Sequence, residues 1–386
     1  MAVPLFDTKL QNNALAAELQ SAFARVLASG QFILGAEVQG FERQSAEYLG
    51  VRHALGISSG TDAILLALMA LGIGPGDEVI CPSFTFFATA GCVARTGATP
   101  VFCDVRADTF NLDVIDAARR ITPRTKAILP VHLYGQAAEM ESINALARKH
   151  GLKVIEDAAQ AVGASQGGRR VGGLGDFGAF SFFPTKNLGA FGDAGLLTTN
   201  NDALAERAML LRNHGAHPKY YHKFVGGNFR IDALQAALLA VKLPHLDTFS
   251  HRRAANAARY TEHFTSLPGV ALANAGDADA RLILPITQMG NGHTWNQYTL
   301  RLPGAGRREA LRARLAERQI GTEIYYPVPL HAQESFAGLG QTDETLPVSA
   351  RLAGEVLSIP IFPELTNAQQ DEVIAAVRDF LASEKS

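Results

Sequence analysis

Short apolar runs alternate with amphipathic segments along the chain from about residue 52. Strand-like runs are followed by stretches whose apolar residues recur every three or four positions, the spacing of a buried helix face. Such alternation predicts βαβ units and a largely parallel sheet. The predicted strands are 54–57, 78–81, 99–103, 126–131, 153–156, 179–183 and 195–199. The predicted helices are 61–71, 86–96, 112–120, 140–150 and 202–214.

The pattern changes in the carboxyl-terminal part of the chain. A long helical pattern covers 231–267 and is broken at Pro244, which lacks the N–H that a helix interior requires. Beyond it the pattern predicts strands at 298–302 and 323–326, and helices at 307–318 and 368–381. We therefore place a domain boundary inside the long helix, which predicts a large domain at 1–245 and a smaller one at 246–386.

Composition narrows the classes of protein to consider. A chain of 386 residues with 47% hydrophobic and 19% charged residues can bury a large core. A net charge of −2 does not indicate nucleic acid or an anionic membrane as a partner. No apolar run reaches membrane-spanning length and the first ten residues do not form a signal peptide, so we expect a cytoplasmic protein. Cys81, Cys92 and Cys103 are expected to be buried free thiols.

Lys186 is the residue whose surroundings most suggest chemistry, because it follows the apolar, strand-like run at 179–183. Desolvation disfavours the ammonium, lowers the lysine pKa and exposes a nucleophilic amine. A nucleophilic amine is what Schiff-base chemistry requires. Most lysines are solvated side chains, so the interpretation depends on the segments that end at the same edge of the sheet.

Several of those segments carry polar or aromatic residues, at the edge where open α/β sheets place their ligands. Gly60 and Thr61 open a helix and favour an anion, although an ordinary helix cap explains them equally well. Ser181 is near enough to Lys186 to contact a phosphate on a cofactor that the lysine holds, or it caps a strand. Phe86 follows another strand and either stacks on a planar ring or packs in the core.

Asp157 ends a predicted buried strand, and Gln160 follows three positions later. An unpaired buried carboxylate is costly, so Asp157 needs a partner. A pyridinium N–H would be one, and a helix cap or a salt bridge is the ordinary alternative. Gln160 is placed to hydrogen-bond the same ligand from the side.

Two other patterns are not interpreted as sites. Residues 173–178 match G-x-G-x-x-G, but a strand-like run follows where a dinucleotide motif requires a helix. We interpret the segment as a flexible connection, which counts against a dinucleotide-dependent dehydrogenase. His214, His217 and His222 have no Cys or carboxylate partner at ligand spacing, so no metal site is predicted.

The motifs, in their order, resemble those of the DegT/DnrJ/EryC1/StrS family of sugar aminotransferases, which use pyridoxal 5′-phosphate (PLP). They cover nearly the whole chain and lie at 30–35, 60–63, 72–79, 130–136, 156–160, 181–186, 211–215, 227–230, 235–237 and 329–331. The resemblance implies an α/β fold of the aspartate-aminotransferase type (fold type I). This fold has a mixed, mainly parallel sheet in a large domain and a smaller C-terminal α+β domain. A homodimer with shared active sites is also implied.

The resemblance assigns roles by motif position. Lys186 is similar to the lysine that binds PLP as a covalent aldimine, and Asp157 to the partner of the pyridine nitrogen. The resemblance also implies that Gln160 contacts the ring hydroxyl and that Phe86 lies on the ring face. The implied phosphate contacts are Gly60, Thr61 and Ser181 of the same subunit, and Asn228, which reaches the phosphate of the neighbouring subunit's cofactor.

Substrate contacts are expected in the C-terminal domain and nearby loops. Arg230 is a candidate anchor for substrate charge, and Phe229 departs from the serine often found in the family's Asn-Ser-Arg motif. The other candidates, each of which could also be packing or surface, are Tyr220, His293, Tyr325, Tyr326 and His331.

The implied reaction is a ping-pong transamination. An amino acid, expected to be L-glutamate, leaves its nitrogen as pyridoxamine phosphate, and a nucleotide-linked keto-sugar collects it. Asp157 would keep the ring nitrogen protonated, and Lys186 would shuttle the proton as general base and acid. The expected setting is deoxyamino-sugar biosynthesis for a surface polysaccharide or a glycosylated metabolite.

Three points stay open at the level of sequence. Both 3-keto and 4-keto hexoses on several nucleotides occur as substrates in the family. A sugar dehydratase of the same family is the nearest alternative, although such members replace the lysine with histidine. The other alternative is a binding or regulatory relative that does not turn over a substrate. The intact Lys186, Asp157 and Gln160 argue against it.

Overall fold

A mixed β-sheet built from residues 53–199 is the centre of the fold. The computed structural model describes residues 2–275 and 279–384. The strands of this part are β1 (His53–Ile57), β2 (Glu78–Pro82), β3 (Thr99–Cys103), β4 (Thr125–Ile128), β5 (Lys153–Asp157), β6 (Ser165–Gln166), β7 (Arg169–Arg170), β8 (Phe177–Ser181) and β9 (Gly195–Thr199). The sheet order is β1-β9-β8-β5-β4-β2-β3, and β6 and β7 form a separate hairpin. Only β9 runs antiparallel to its neighbours in this sheet, so the predicted, mainly parallel sheet is confirmed.

Helices pack on both faces of this sheet. The helices of residues 9–265 are α1 (Lys9–Ala14), α2 (Ala16–Ser29), α3 (Ala36–Leu49), α4 (Gly60–Leu71), α5 (Ala88–Arg95), α6 (Val114–Arg119), α7 (Met140–His150), α8 (Asp202–Arg212), α9 (Ala233–Lys242) and α10 (Leu246–Thr265). Most of α10 packs against the carboxyl-terminal part of the chain instead of this sheet. Adjacent strand residues serve opposite faces: Leu196 packs in the cluster with α2, α3 and α9, while Leu197 packs in the cluster with α4 and α5. Strands buried on both faces explain the near-continuous apolar runs in the sequence.

The remaining residues build a smaller sheet with its own apolar cluster. The strands of this sheet are β10 (Val270–Leu272), β11 (Leu282–Leu284), β13 (Tyr298–Arg301) and β14 (Val356–Ile359), and the helices of this part are α11 (Arg307–Glu317), α12 (Pro347–Glu355) and α13 (Asn367–Ser383). A short strand, β12 (Asn291–Gly292), pairs with β6 instead. Val3 is buried in this cluster and bridges Ile320, so the first residues of the chain pack against its carboxyl-terminal part. The division into 1–245 and 246–386 stays a prediction.

Most predicted elements lie within a few residues of the observed ones, and one is wrong. The helical pattern at 231–267 is interrupted as predicted, by the 3₁₀ helix Leu243–His245 between α9 and α10. The predicted strand at 323–326 is absent: Glu323 makes a single bridge to Ser358, after which the chain leaves the sheet. Aromatic residues favour strands in general, but here Tyr325 and Tyr326 face a cavity instead.

Two further expectations concern the state of the cysteines and the presence of membrane-spanning helices. Cys81, Cys92 and Cys103 are buried free thiols, as predicted. Within the described residues, no helix combines the length and the apolar composition needed to cross a membrane.

Candidate active site

A cavity of about 520 Å³ opens at the carboxyl edge of the large sheet. The segments that follow β1, β2, β5 and β8 reach it, because parallel strands bring their carboxyl ends to one edge. Its volume is in the range of small-molecule sites. The predicted site residues that line it are Gly60, Thr61, Phe86, Asp157, Gln160, Ser181, Lys186, Tyr325 and Tyr326.

Lys186 lies in a tight turn after β8. Its backbone N–H donates to Phe183 O at 2.8 Å, and Ala190 N–H returns to Phe182 O at 2.8 Å, which closes the turn. Burial lowers the pKa of the Lys186 amine to about 8, and the nearby Asp157 carboxylate opposes that shift. The unprotonated fraction of the amine at neutral pH is therefore far larger than for a solvated lysine, which favours a nucleophilic role.

Asp157 is buried at the end of β5 and is held by two donors. Thr89 Oγ1–H donates to Asp157 Oδ2 at 2.8 Å, and Ala159 N–H donates to Oδ1 at 3.2 Å. Burial raises the pKa of Asp157, while these two hydrogen bonds and the positive charge of Lys186 act in the opposite direction. A cationic N–H donor in the cavity would stabilise the ionised carboxylate further.

Gln160 is fixed in orientation by its two neighbours. Tyr134 N–H donates to Gln160 Oε1 at 2.7 Å, and Gln160 Nε2–H donates to the Tyr326 hydroxyl at 3.0 Å. The amide therefore presents an N–H on the side of the cavity that Tyr326 lines. This network also joins the C-terminal segment to the large sheet.

The start of α4 forms an anion-ready corner of the cavity. Ser59 Oγ accepts from Asp62 N–H at 3.1 Å, and Ala63 N–H donates to Ser59 O. The N–H groups of Gly60 and Thr61 have no acceptor within the described parts of the chain, as expected of a helix start. A Cβ at Gly60 would lie 2.7 Å from Ser181 Cβ, so only glycine lets α4 approach β8 this closely.

Phe86 is an exposed aromatic at the cavity wall. It is 56% exposed, and its ring centroid lies 6.1 Å from that of Tyr326. A core phenylalanine would be covered, so the exposure favours the ring-stacking interpretation over core packing.

Asn228 and Arg230 lie outside this cavity, in a second one of about 320 Å³. Asp193 lines both cavities. Arg230 Nη1–H donates to Asn213 Oδ1 within the same chain. The contact of Asn228 with the cofactor phosphate of a neighbouring subunit stays a prediction.

The remaining substrate candidates also lie outside the cavity lining. His331 is buried between Ser83 Oγ, 2.6 Å from its Nδ1, and Asp343 Oδ1, 2.8 Å from its Nε2. Tyr220 is 79% exposed on a surface loop. His293 stacks on Trp295 at 3.9 Å between ring centroids, and burial lowers its pKa to about 3. Substrate contacts of His331, Tyr220 and His293 stay predictions.

The segment 173–178, predicted to be a flexible connection, leads into β8 and includes its first two residues, but it is ordered by hydrogen bonds rather than flexible. Three backbone N–H groups, those of Gly172, Leu174 and Gly175, donate to the buried Glu156 carboxylate at 2.7 to 2.8 Å. His132 Nε2 lies 3.0 Å from the same carboxylate. The glycine-rich segment is thus ordered by Glu156, on the face of β5 opposite to Asp157.

Sequence reasoning missed several residues of this site. Thr89 supports Asp157 from α5, one turn after Phe86, a position that helical spacing from Phe86 could have indicated. Polar cavity-lining residues that were not predicted are Thr85, Thr185, Asp193, Asn296 and Gln297. Asn296 and Gln297 come from a distant part of the chain, and no local pattern marks them.

The α/β fold with its mainly parallel sheet, together with this edge site, is that of a fold type I PLP-dependent transferase. The sequence model of the DegT/DnrJ/EryC1/StrS aminotransferase family matches residues 13–378. The protein belongs to this family.

Similar proteins include both an enzyme and a protein named for regulation. The chain is 45% identical to the dTDP-3-amino-3,4,6-trideoxy-alpha-D-glucose transaminase of Streptomyces venezuelae, covering 98% of this chain and 96% of that one. It is 47% identical to a pleiotropic regulatory protein of Geobacillus stearothermophilus, and the match covers 98% of this chain and 99% of that one. The crystal structure of S. venezuelae DesV in complex with a ketimine intermediate superposes with a TM-score of 0.92, at 45% identity and 98% coverage of both chains.

Proposed function

We propose that the protein is a PLP-dependent aminotransferase that moves an amino group from L-glutamate to a nucleotide-linked keto-sugar by a ping-pong mechanism. The observation that carries the proposal is the pairing of Lys186, whose amine pKa is about 8, with the braced carboxylate of Asp157 in one cavity. Together with an anion-ready helix start, this is the set of groups that PLP chemistry needs.

The residues of the cavity fit PLP at each of its polar ends. Gly60, Thr61 and Ser181 would hold the phosphate, because two free N–H groups and two hydroxyls meet where α4 approaches β8. Gln160 would donate to the ring hydroxyl through the amide that Tyr134 and Tyr326 orient. Phe86 would cover one ring face.

Asp157 and Lys186 would divide the chemistry between them. When bound, PLP supplies the electron sink for breaking the Cα–H bond of the amino donor. Asp157 would accept a hydrogen bond from the protonated ring nitrogen and keep it protonated. Lys186 is suited to take the proton from the donor Cα at its Nζ and to return a proton later, because its pKa lies near neutral pH.

The family resemblance and the S. venezuelae relative support a nucleotide-linked sugar as the amino acceptor. The name of that relative describes a 3-amino sugar on dTDP. At 45% identity over 98% of this chain, this favours a 3-keto hexose over a 4-keto hexose. L-Glutamate as donor rests on the family resemblance alone.

A homodimer with shared active sites is part of the proposal. Asn228 lines a cavity separate from the Lys186 cavity of its own chain, so it would reach the phosphate in the partner subunit. Exposed Phe86 and Phe87 line an adjoining apolar cavity of about 570 Å³, which an interface would cover. A cytoplasmic location stays a prediction.

A regulatory role is the second candidate, raised by the name of the Geobacillus relative. Lys186, Asp157 and Gln160 argue against regulation without turnover, since the cavity holds the groups that a working cofactor site needs. The two candidates differ in whether the protein releases 2-oxoglutarate.

The test is a screen of keto-sugar nucleotides with L-glutamate as donor. The PLP-loaded protein is incubated with 3-keto and 4-keto hexoses on dTDP, UDP and GDP, and 2-oxoglutarate is measured. We expect turnover with at least one 3-keto sugar, and none for Lys186→Ala, which should keep a wild-type circular dichroism spectrum. A glutamate-dependent loss of the cofactor band without turnover would remove the sugar assignment only. A protein that binds no PLP would refute the whole proposal.

A further inference from the structure

A second buried lysine lies directly behind the turn that carries Lys186. Lys242, the last residue of α9, is only 1% exposed, and its Nζ–H donates to Gly189 O at 2.6 Å. The Phe191 ring centroid lies 5.6 Å from the same nitrogen. A buried ammonium is costly, and an apolar side chain at this position would avoid that cost. The lysine therefore points to a requirement that packing alone does not explain.

Gly189 belongs to the closed turn that presents Lys186. The turn starts at Phe182–Phe183, carries Lys186 at its tip and returns at Ala190 through two backbone hydrogen bonds. A Cβ at Gly189 would lie 2.3 Å from Pro184 O, so the two limbs of the turn are in direct contact. A shift of the Gly189 carbonyl would therefore move the backbone of Lys186.

A second residue of α9 holds the same limb of the turn. Gln235 Oε1 accepts from Phe191 N–H at 2.8 Å, and its Nε2–H donates to Phe191 O at 3.2 Å. Gln235 and Lys242 are seven residues apart, which places them on one face of the helix, two turns from each other. We call Gln235 and Lys242 the α9 clamp.

We infer that the α9 clamp positions Lys186 for bond formation with PLP. Lys242 is a positioning residue: it touches the turn and not the cavity, and it acts through the Gly189 carbonyl. Small displacements of a nucleophile cost rate because bond formation needs an aligned approach. The inference rests on the proposed function, in which Lys186 carries the cofactor.

The test compares Lys242→Met with Lys126→Met, a change at an exposed lysine on β4. Each apoprotein is mixed with PLP, and covalent attachment to Lys186 is followed by borohydride trapping and mass spectrometry. We expect attachment to be about tenfold slower in Lys242→Met, equal to about 1.4 kcal/mol in the barrier, and unchanged in Lys126→Met. The pH midpoint of the bound-cofactor absorbance should also move in Lys242→Met alone.

Thermal unfolding of the apoproteins separates positioning from stability. Methionine removes a buried charge but leaves the Gly189 carbonyl without its donor, so its two effects on the unfolding temperature oppose each other. Slower attachment in an apoprotein that unfolds at a temperature close to that of the wild type would therefore indicate positioning. A lower unfolding temperature with wild-type attachment would assign Lys242 a purely structural role and overturn the inference. Wild-type attachment and an unchanged absorbance midpoint would overturn it as well, while the proposed function would stand.

Two further variants decide the matter if Lys242→Met does not fold. Gln235→Met removes the other half of the clamp and should also slow attachment. Lys242→Arg keeps a cationic donor and should restore part of the rate. Wild-type attachment in Gln235→Met would overturn the inference. A wild-type protein that takes up no PLP would refute the inference together with the proposed function.

Discussion

At the scale of single residues, burial acts on Lys186 and Asp157 in opposite directions. It lowers the pKa of the lysine to about 8 and raises the pKa of the carboxyl group, because a low-dielectric site disfavours either charge. Each group also stabilises the charge of the other. Burial thus favours the neutral amine of Lys186, while Thr89 and Ala159 keep the carboxylate available for a cationic partner.

The first prediction concerns the pH dependence of cofactor attachment. Only the unprotonated Lys186 amine is nucleophilic, so the attachment rate of the apoprotein should rise with pH and level off above about 8. An ordinary lysine would give a rise that continues toward about 10.4. Stopped-flow absorbance between about pH 6 and about pH 10 measures the attachment rate. In Asp157→Asn the midpoint should fall, because the Asp157 charge raises the lysine pKa, and an unchanged midpoint would contradict the coupling.

The second prediction concerns Asp157 itself. Asp157→Asn should still bind PLP, but kcat should fall roughly a hundredfold or more, because an amide stabilises a protonated ring nitrogen poorly. Steady-state kinetics with glutamate and the accepted sugar nucleotide measure the loss. Asp371→Asn, at an exposed carboxylate on α13, is the matched control and should retain activity. A rate near the wild type in Asp157→Asn would remove the role given to this residue.

At the scale of elements, the site depends on how closely α4 approaches β8. Helix α4 is almost entirely apolar and buried, so packing decides its position, and its first residue lies against Ser181. Glu156 holds the glycine-rich segment on the other face of β5. Strand β5 thus carries Glu156 on one face, where it orders the glycine-rich segment, and Asp157 on the other face, where it lines the cavity.

The third prediction tests the approach of α4. Gly60→Ala places a Cβ 2.7 Å from Ser181 Cβ and 3.2 Å from its Cα, so the helix start must move away from β8. We expect PLP affinity to fall about tenfold, since the phosphate donors move with the helix. Gly40→Ala in α3, whose Cβ would meet open space, should leave affinity unchanged and raise stability by up to about 1 kcal/mol. Equilibrium PLP titration and thermal unfolding measure both; equal affinities in the two variants would contradict the prediction.

At the scale of the whole molecule, one chain does not bring all the expected phosphate contacts together. Asn228 and Arg230 line one cavity and Lys186 another, with Asp193 on the border. Large side chains at the cavity, Phe86 and Phe183, are half-exposed in the single chain. In the proposed homodimer, a second copy would cover such side chains and bring its Asn228 to the cavity.

The fourth prediction tests this arrangement by mixing variants. Lys186→Ala and Asn228→Ala homodimers should each be impaired, the first without turnover. A mixed dimer contains one site with both changes and one with neither, so random reassembly of equal amounts should restore about a quarter of wild-type activity. A mixture of Lys186→Ala with Asp157→Asn is the control and should restore nothing, because both residues line the same cavity. No recovery in the first mixture would place Asn228 in its own subunit's site or outside both sites.

Local patterns in the sequence were sufficient to predict the large sheet and the edge that carries the candidate site. The strand–helix alternation predicted the sheet because buried parallel strands leave a nearly continuous apolar signal. The end of a parallel strand is also a fixed place in the fold, so Lys186, Asp157, Ser181 and Gly60 could be expected at one edge. By contrast, the strand expected at 323–326 was wrong, since the three β-favouring residues Ile324, Tyr325 and Tyr326 do not decide between a sheet and a cavity wall.

The sequence by itself predicted the sheet, the edge that carries the candidate site, and the positions of Lys186 and Asp157 at that edge, because strand ends follow from short-range order along the chain. The tertiary structure decided which distant groups surround that pair. Thr89 reaches Asp157 across 68 residues of sequence, and Lys242 reaches Gly189 across 53. Those contacts arise where separate elements pack together, and no local pattern of hydrophobic and polar positions encodes them.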